Sequence, residues 1–434
     1  MHSSITGQRP SITGQYLNRY QRLAASTAGE GADLLPVTGA QRRFVLVRAM
    51  DPAGRPDTVP MFFAFPRGTV DTVRLQAAAQ CLAARHPALR SRACVLRGTP
   101  VLRQADPGIP VERVRRAPGE DVHDALRRAV GAWSSDGPPL RLFLAQDAAE
   151  EVLAVVLDHA ACDGRSLARI VEELGDAYRD RLGPLDPSPA EVASHLAEYR
   201  EAVLLQLEAE RRASTPDALA YWGERLRTVQ ERAAKPDTSA GIPTGAAELT
   251  LRADQLGVPF ATLLDACRAA AGVLYGPGRV PPIGYPWGGR PAGAPPVLGC
   301  FLNTVVFPAA TGPERPAPEV TATEWWDDLD RADTPFDEVV HAARSAGARW
   351  SGALDGLLTV DDARRRPTLR LGGVAGREVH VDGRRVRAPF AVSVVQGAEL
   401  QVRMVWDRTV LADDAAQDAF AALAGELRAG LPVS

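Results

Sequence analysis

Hydrophobic and polar positions along this chain switch repeatedly between strand and helix periods. Met61–Phe65 is an apolar run of strand length, and Val70–Arg85 carries its apolar residues at helical spacing. Leu140–Leu144 and Val152–Leu157 read as neighbouring strands joined by the turn-like segment Gln146–Glu151. The unbroken apolar character of Val152–Leu157 predicts a strand buried on both faces. Asp158-His159-Ala160-Ala161-Cys162-Asp163-Gly164 follows at once, and then a helix with Leu167, Ile170, Val171, Leu174 and Tyr178 along one face. A compact polar motif therefore stands at a strand-to-helix junction.

Residues 183–190 carry three prolines in eight positions and read as a linker. They divide a first lobe, 35–182, from a second, 191–434, behind a polar extension, 1–34, expected to be partly disordered; in it Ser-Ile-Thr-Gly-Gln occurs at 4–8 and again at 11–15. The second half opens with the helical stretch Glu191–Arg227, and a helix at Phe260–Leu274 leads into a Gly/Pro-rich segment, Gly276–Pro296. Strand-like runs at Thr304–Phe307, Leu357–Val360, Ala391–Val395 and Leu400–Val405 precede a closing helix, Asp413–Arg428. The class this predicts is α/β.

Composition narrows the reading. With 434 residues and 45% hydrophobic content the chain exceeds what one core usually organises, which supports two lobes. A net charge of -3 with pI near 6.2 argues against a nucleic-acid protein, because phosphate binding needs a basic excess on some face. Five scattered cysteines without a C-x-x-C pair suggest neither a disulfide scaffold nor a zinc site, so a reducing cytoplasm is the simplest compartment. No apolar run approaches the ~20 residues of a membrane span. A monomer acting on small-molecule or protein substrates is expected, with no nucleic acid, membrane, metal or cofactor.

The candidate chemistry lies in the motif. A histidine followed four residues later by an aspartate and then a glycine, where a buried strand ends, suits a fixed general base. The strand holds the imidazole, the acid organises the loop, and glycine permits close approach of backbone. His86, before Pro87, reads as structural, and His2, His123, His195, His341 and His380 as surface residues. Cys162 reads as a small core residue.

Several segments, in order, resemble the condensation domains of nonribosomal peptide synthetases. Leu35-Pro36-Val37-Thr38-Gly39-Ala40-Gln41-Arg42-Arg43-Phe44 is similar to the family's L-P-x-S-x-A-Q-x-R opening, and Arg85-His86-Pro87-Ala88-Leu89-Arg90 to its R-H-E-x-L-R segment. From His159 the H-H-x-x-x-D-G core is matched. Gly289-Arg290-Pro291, Leu298–Thr304 and Asp333-Thr334-Pro335-Phe336-Asp337 resemble G-R-P, G-x-F-V-N-T and D-Y-P-F-E. The resemblance implies two chloramphenicol-acetyltransferase-like lobes in a V-shaped pseudo-dimer with a central tunnel. It also implies amide or ester formation by attack of an amine or alcohol on an acyl thioester. That acyl group would arrive on the phosphopantetheine arm of a carrier protein acting in trans, and the arm is a substrate, not a cofactor.

On that resemblance His159, Asp163 and Gly164 form the catalytic motif. Asp163 would be held by Arg85, Arg90 or Arg290, while Arg165, Trp287, Asn303 and Thr304 would face substrate. Asp158 replaces the family's first histidine and is expected to face away from the site as a structural residue. Arg364-Arg365-Arg366 and Arg384-Arg385 offer a basic surface for an acidic carrier. Two other functions stay open. One is an acyl-CoA-dependent acyltransferase, against which the plant-type D-F-G-W-G segment is missing. The other is a non-catalytic condensation-like module that recruits tailoring enzymes.

Overall fold

The structure, a computed structural model, describes residues 11–27, 34–50, 57–106, 108–133, 137–230, 243–252, 257–312, 317–366, 368–384 and 386–430. His2 and Arg385 lie outside these residues. Two mixed sheets, each flanked by helices, organise the molecule. The first has the strand order Arg377–Glu378, Thr58–Pro66, Glu150–Asp158, Leu140–Gln146, Val111–Arg113. The second runs Leu302–Pro308, Pro282–Gly288, Gly356–Asp362, Phe390–Gln396, Glu399–Asp407, Thr244–Arg252.

Glu150–Asp158 is the middle strand of the first sheet, antiparallel to both neighbours, with Thr58 opposite Asp158 and Leu140 opposite Leu157. Its alternating side chains feed two cores. Leu153, Val155 and Leu157 pack under the helices Thr72–Arg85 and Gly164–Arg179, while Val152, Ala154 and Val156 pack with Leu126, Val130 and Trp133. An apolar run on both faces is therefore satisfied by helices on both sides. It also leaves the chain at one fixed point, where His159 begins.

The two halves interlock. Leu369 and Leu371 are fully buried in the first core beside Tyr178, and Arg377–Glu378 adds an edge strand to the first sheet opposite Ala64 and Phe63. Residues 183–190 are a turn whose last members start a helix, Pro189–Ala213, through a capping box between Ser188 and Glu191 with Pro189 in the first turn. That helix packs Tyr199, Ala202, Val203 and Leu207 against Tyr16, Tyr20 and Leu23, so it belongs to the first lobe's side. The single helical stretch expected over 191–227 is two helices. Thr215 caps a new one, Pro216–Arg225, because a proline inside the first would remove a hydrogen bond and clash with the preceding turn.

The N-terminal extension contributes a helix, Ile12–Thr27, which begins in the second Ser-Ile-Thr-Gly-Gln copy. The Val37 amide donates to the Tyr16 hydroxyl at 2.7 Å and the Tyr20 hydroxyl donates to the Leu34 carbonyl at 3.0 Å. The Gly/Pro-rich segment holds a strand, Pro282–Gly288, since proline is tolerated where no ladder donor is needed. No described helix is long and apolar enough to cross a membrane.

One buried guanidinium joins four helices. Arg42, on Gly39–Met50 and 2% exposed, pairs with Asp337 at 3.1 Å and Glu210 at 3.6 Å and donates to Thr13 Oγ1 at 2.9 Å. Arg42→Ala strands the buried Glu210 and leaves the partly exposed Asp337 without its partner, and the expected loss is about 3–5 kcal/mol of folding stability in urea denaturation. A loss under about 1 kcal/mol would mean that the cluster is solvated and structurally idle.

Candidate active site

His159 opens a short 3-10 turn, His159–Ala161, directly after the middle strand. Its amide donates to the Asp57 carbonyl at 2.8 Å, and Gln41 Nε2 donates to the Ala160 carbonyl at 2.7 Å, so the turn is held from two sides. The Phe44 ring stacks on the imidazole at 4.7 Å between centroids. The wall facing His159 is thus the helix Gly39–Met50. Glutamine and phenylalanine carry no site signal in a sequence, so Gln41 and Phe44 stand out only once the fold sets them beside the histidine turn.

The ring lies deep yet keeps some accessible surface. Its Nδ1 is buried without a hydrogen-bond partner, whereas Nε2 is not closed off. Burial lowers the imidazole from its ordinary value, against the pull of its own carbonyl and of Asp158, and Arg43 adds to the lowering. His159 is therefore neutral at neutral pH, the form a base requires.

Asp163 caps the helix Gly164–Arg179 and organises the segment opposite. Oδ1 accepts from the Ser166 amide at 2.9 Å; Oδ2 accepts from the Phe301 amide at 3.1 Å and pairs with Arg290 at 3.0 Å. Of the three arginines considered, Arg290 is the partner. Arg85 ends the helix Thr72–Arg85 nearer Cys81 and Glu191, and Arg90 ends the short helix that follows. Arg290 also donates to the Val297 carbonyl at 2.8 Å and to Ser166 Oγ at 3.0 Å. Gly299, at φ 154°, must be glycine, because a Cβ there would sit 2.7 Å from the Phe301 ring.

Three expectations need correction. Asp158, expected to be a structural residue facing away from the site, is a buried one and not an outward-facing acid. It is 7% exposed, accepts from the Ala160 amide at 2.9 Å and pairs with Arg48 at 2.8 Å, because the turn at His159 folds the chain back over it. Gly164 is not a point of close approach: it starts the helix in the open, and a Cβ there would meet nothing within 4 Å. His195 and His123 are not surface residues. His195 stacks on His86 at 6.0 Å, beside Glu173, which lies 2.6 Å from His86 Nε2. His123 is half-buried at the start of an amphipathic helix, whereas His341 and His380 are exposed.

The residues expected to face substrate are placed as follows. Asn303 spends its amide on the Ala332 and Thr334 carbonyls, at 2.8 and 2.6 Å, and accepts from the Phe336 amide at 3.1 Å, so it positions the 332–336 turn. Trp287 stands opposite it in the ladder and packs on the second core, and the Thr304 methyl lies over Gly284. Arg165 is exposed and covers Gly289. Of the basic stretches, Arg364 and Arg365 are exposed, while Arg366 pairs with Glu378 and Arg384 lies over Phe62, where burial lowers it to about 10. Among the described residues of these stretches Arg364 and Arg365 are the most exposed, and both lie within ion-pair distance of Asp362, at 3.7 and 3.8 Å. Among the described residues no group of three potential ligands is placed to hold a metal.

No family model matches the chain. It is 27% identical over 352 residues to CymA of Salinispora arenicola, a probable nonribosomal peptide synthetase, a match covering 71% of this chain and 4% of that protein. Similarity to a dimodular nonribosomal peptide synthase of Bacillus subtilis is 26% and covers 74% of this chain and 14% of that protein. The chain thus spans a small part of these relatives. The X-domain of teicoplanin biosynthesis, in its complex with OxyB, matches with a TM-score of 0.67 at 17% identity, over 92% of this chain and 93% of that one. The first condensation domain of the calcium-dependent antibiotic synthetase matches at 0.66 and 16%, over 92% and 97%.

The chain is thus similar in sequence to nonribosomal peptide synthetases and shares the fold of condensation domains. Its two sheets are the two lobes of the chloramphenicol-acetyltransferase-like fold. In this chain the motif acids have separate structural tasks, and their removal should separate them. Asp163→Ala strands Arg290 and is expected to cost about 3–5 kcal/mol. Asp158→Ala, which uncaps a turn and frees a partly exposed Arg48, should cost about 1–3 kcal/mol. Urea midpoints in the reverse order would refute this ranking.

Proposed function

We propose that the chain is an acyltransferase that forms an amide or ester by attack of an amine or alcohol on an acyl thioester carried by a phosphopantetheine arm. The observation that carries this reading is the state of His159, a neutral imidazole with one accessible nitrogen on a turn held by Gln41 and Asp57. Such a base orients the nucleophile and takes its proton as the new bond forms. Asp163 and Arg290 act through position, because both groups are consumed by each other and by backbone. Kinship to nonribosomal peptide synthetases supports a carrier protein as the source of the thioester.

A second reading, a recruitment module, is favoured by the likeness to an X-domain found bound to OxyB and by Asp158 in place of the first motif histidine. Acyl transfer separates the two. With an acyl-loaded carrier protein and a panel of amines, His159→Ala is expected to lower turnover by ~10²–10⁴ while the melting curve stays cooperative. No turnover in the unmodified protein favours recruitment, whereas turnover unchanged in His159→Ala takes the role of base away from His159. If acyl-CoA serves as well as the loaded carrier, at low and high salt alike, the CoA-dependent reading replaces the carrier-dependent one.

The depressed imidazole also fixes the pH profile. Because His159 loses its proton below the ordinary value of 6.5, kcat/KM should hold through pH 6.5 on acidification and fall only at lower pH. An acid limb centred at or above 6.5 would contradict a neutral, desolvated base.

A further inference from the structure

Among the described residues, four guanidiniums and three carboxylates lie around the His159 turn, and Asp163 is taken by Arg290. Arg48 is taken by Asp158, and Arg387 is in ion-pair contact with Asp57. Arg387 also reaches over the outer side of the Phe44 ring, 5.1 Å from its centroid, while His159 stacks on that ring. Arg43, one residue before Phe44, has none of these acids. Its guanidinium lies over the Phe336 ring at 4.0 Å, and burial with no opposing carboxylate lowers it to about 10. It remains partly accessible, as His159 does, and its charge is felt by both His159 and Arg387.

A deep cation without a counter-charge is unfavourable unless something arrives to pair with it. The aromatic face of Phe336 offsets only part of that cost. Asp337, the residue after Phe336, is unavailable because it is bound to Arg42. The local excess is therefore one positive charge, within electrostatic reach of His159.

We propose that Arg43 receives the carboxylate of the acceptor, so that the nucleophile is a free amino acid or another small amino or hydroxy acid. This rests on the reading of His159 as the base that serves the acceptor. An aminoacyl group tethered to a carrier has its α-carboxyl locked in a thioester and offers Arg43 nothing unless its side chain is acidic. A free acid offers both ends: a carboxylate for the guanidinium and an amine or hydroxyl for the imidazole. In the reaction the acceptor nitrogen or oxygen bonds to the acyl carbon, the carbon–sulfur bond breaks, and the proton lost by the acceptor passes through His159 to the departing pantetheine thiolate. The products are an N- or O-acyl acid with its carboxylate intact and a free carrier thiol.

The test uses the full chain and ligand-observed NMR titrations with a panel of L-amino and L-hydroxy acids, each paired with its methyl ester. At least one acid should bind about tenfold or more tightly than its ester, the size of effect expected for a hydrogen-bonded charge. Arg43→Gln should abolish that preference and Arg43→Lys keep part of it. His159→Ala should keep the preference while losing condensation with an acyl-loaded carrier. Equal binding of acids and esters, no binding by any acid in the panel, or a preference that survives Arg43→Gln overturns the proposal. If that happens while His159-dependent transfer to esterified or carrier-bound acceptors persists, only the acceptor class is wrong. If acids bind through Arg43 but no acyl transfer depends on His159, the failure lies in the reading of the function.

Discussion

A carboxylate that is almost out of contact with water, Asp163 at 3% exposure, is costly to bury unless it is paired, and the molecule supplies its partners from two distant stretches of chain. Its own helix start provides the Ser166 amide; the 290–301 segment provides the Arg290 guanidinium and the Phe301 amide. Because those bonds need the segment close, Gly299 takes a backbone conformation open to glycine, and Ser166 sits between its carbonyl and Asp163. The end of the first sheet's middle strand and the edge of the second sheet are thereby fixed to each other. His159, four residues before Asp163, inherits that rigidity without touching Arg290.

Around this pin, two arginines are matched with acids. Arg42 with Asp337 and Glu210 closes the helices behind the site, and Arg48 with Asp158 closes the turn beside it. In both, the arginine comes from Gly39–Met50, the helix that also contributes Gln41 and Phe44 to the His159 surroundings. One helix thus serves as structural tie and as the wall facing His159. Breaking a buried pair leaves its partner uncompensated, so such residues are costly to change whatever their part in chemistry. The replacement of the first motif histidine by Asp158 is accommodated in the same way, by an added counter-charge at Arg48.

Much of the frame was legible in the chain. Val152–Leu157 reads as a doubly buried strand because an apolar run that long has no polar face to give to water, and the structure places helices on both sides of it. The strand end then sets where His159 stands, and the H-x-x-x-D-G spacing sets the helix cap at Asp163. The second half's strands at 302–308, 356–362, 390–396 and 399–407 and the closing helix contain the runs expected from their apolar pattern. Less legible were Ile12–Thr27, whose polar composition hides two tyrosines that bury themselves by hydrogen bonding to distant backbone, and Pro282–Gly288, whose prolines and glycines imitate a loop.

Local pattern determined the elements, the motif and its place between strand and helix, because hydrophobic period, capping and turn chemistry act over a few residues. Only the tertiary structure decided which arginine answers Asp163, that Asp158 is buried, that Asn303 is spent on backbone, and that Arg43 is a deep cation with no acid of its own. Each of these depends on partners far away in sequence, 127 residues for Asp163 and Arg290 and 110 for Arg48 and Asp158. A charged side chain carries no sign in its own neighbourhood of whether it will meet water, a counter-ion or neither. That outcome is set when the two halves pack and remove the water between them.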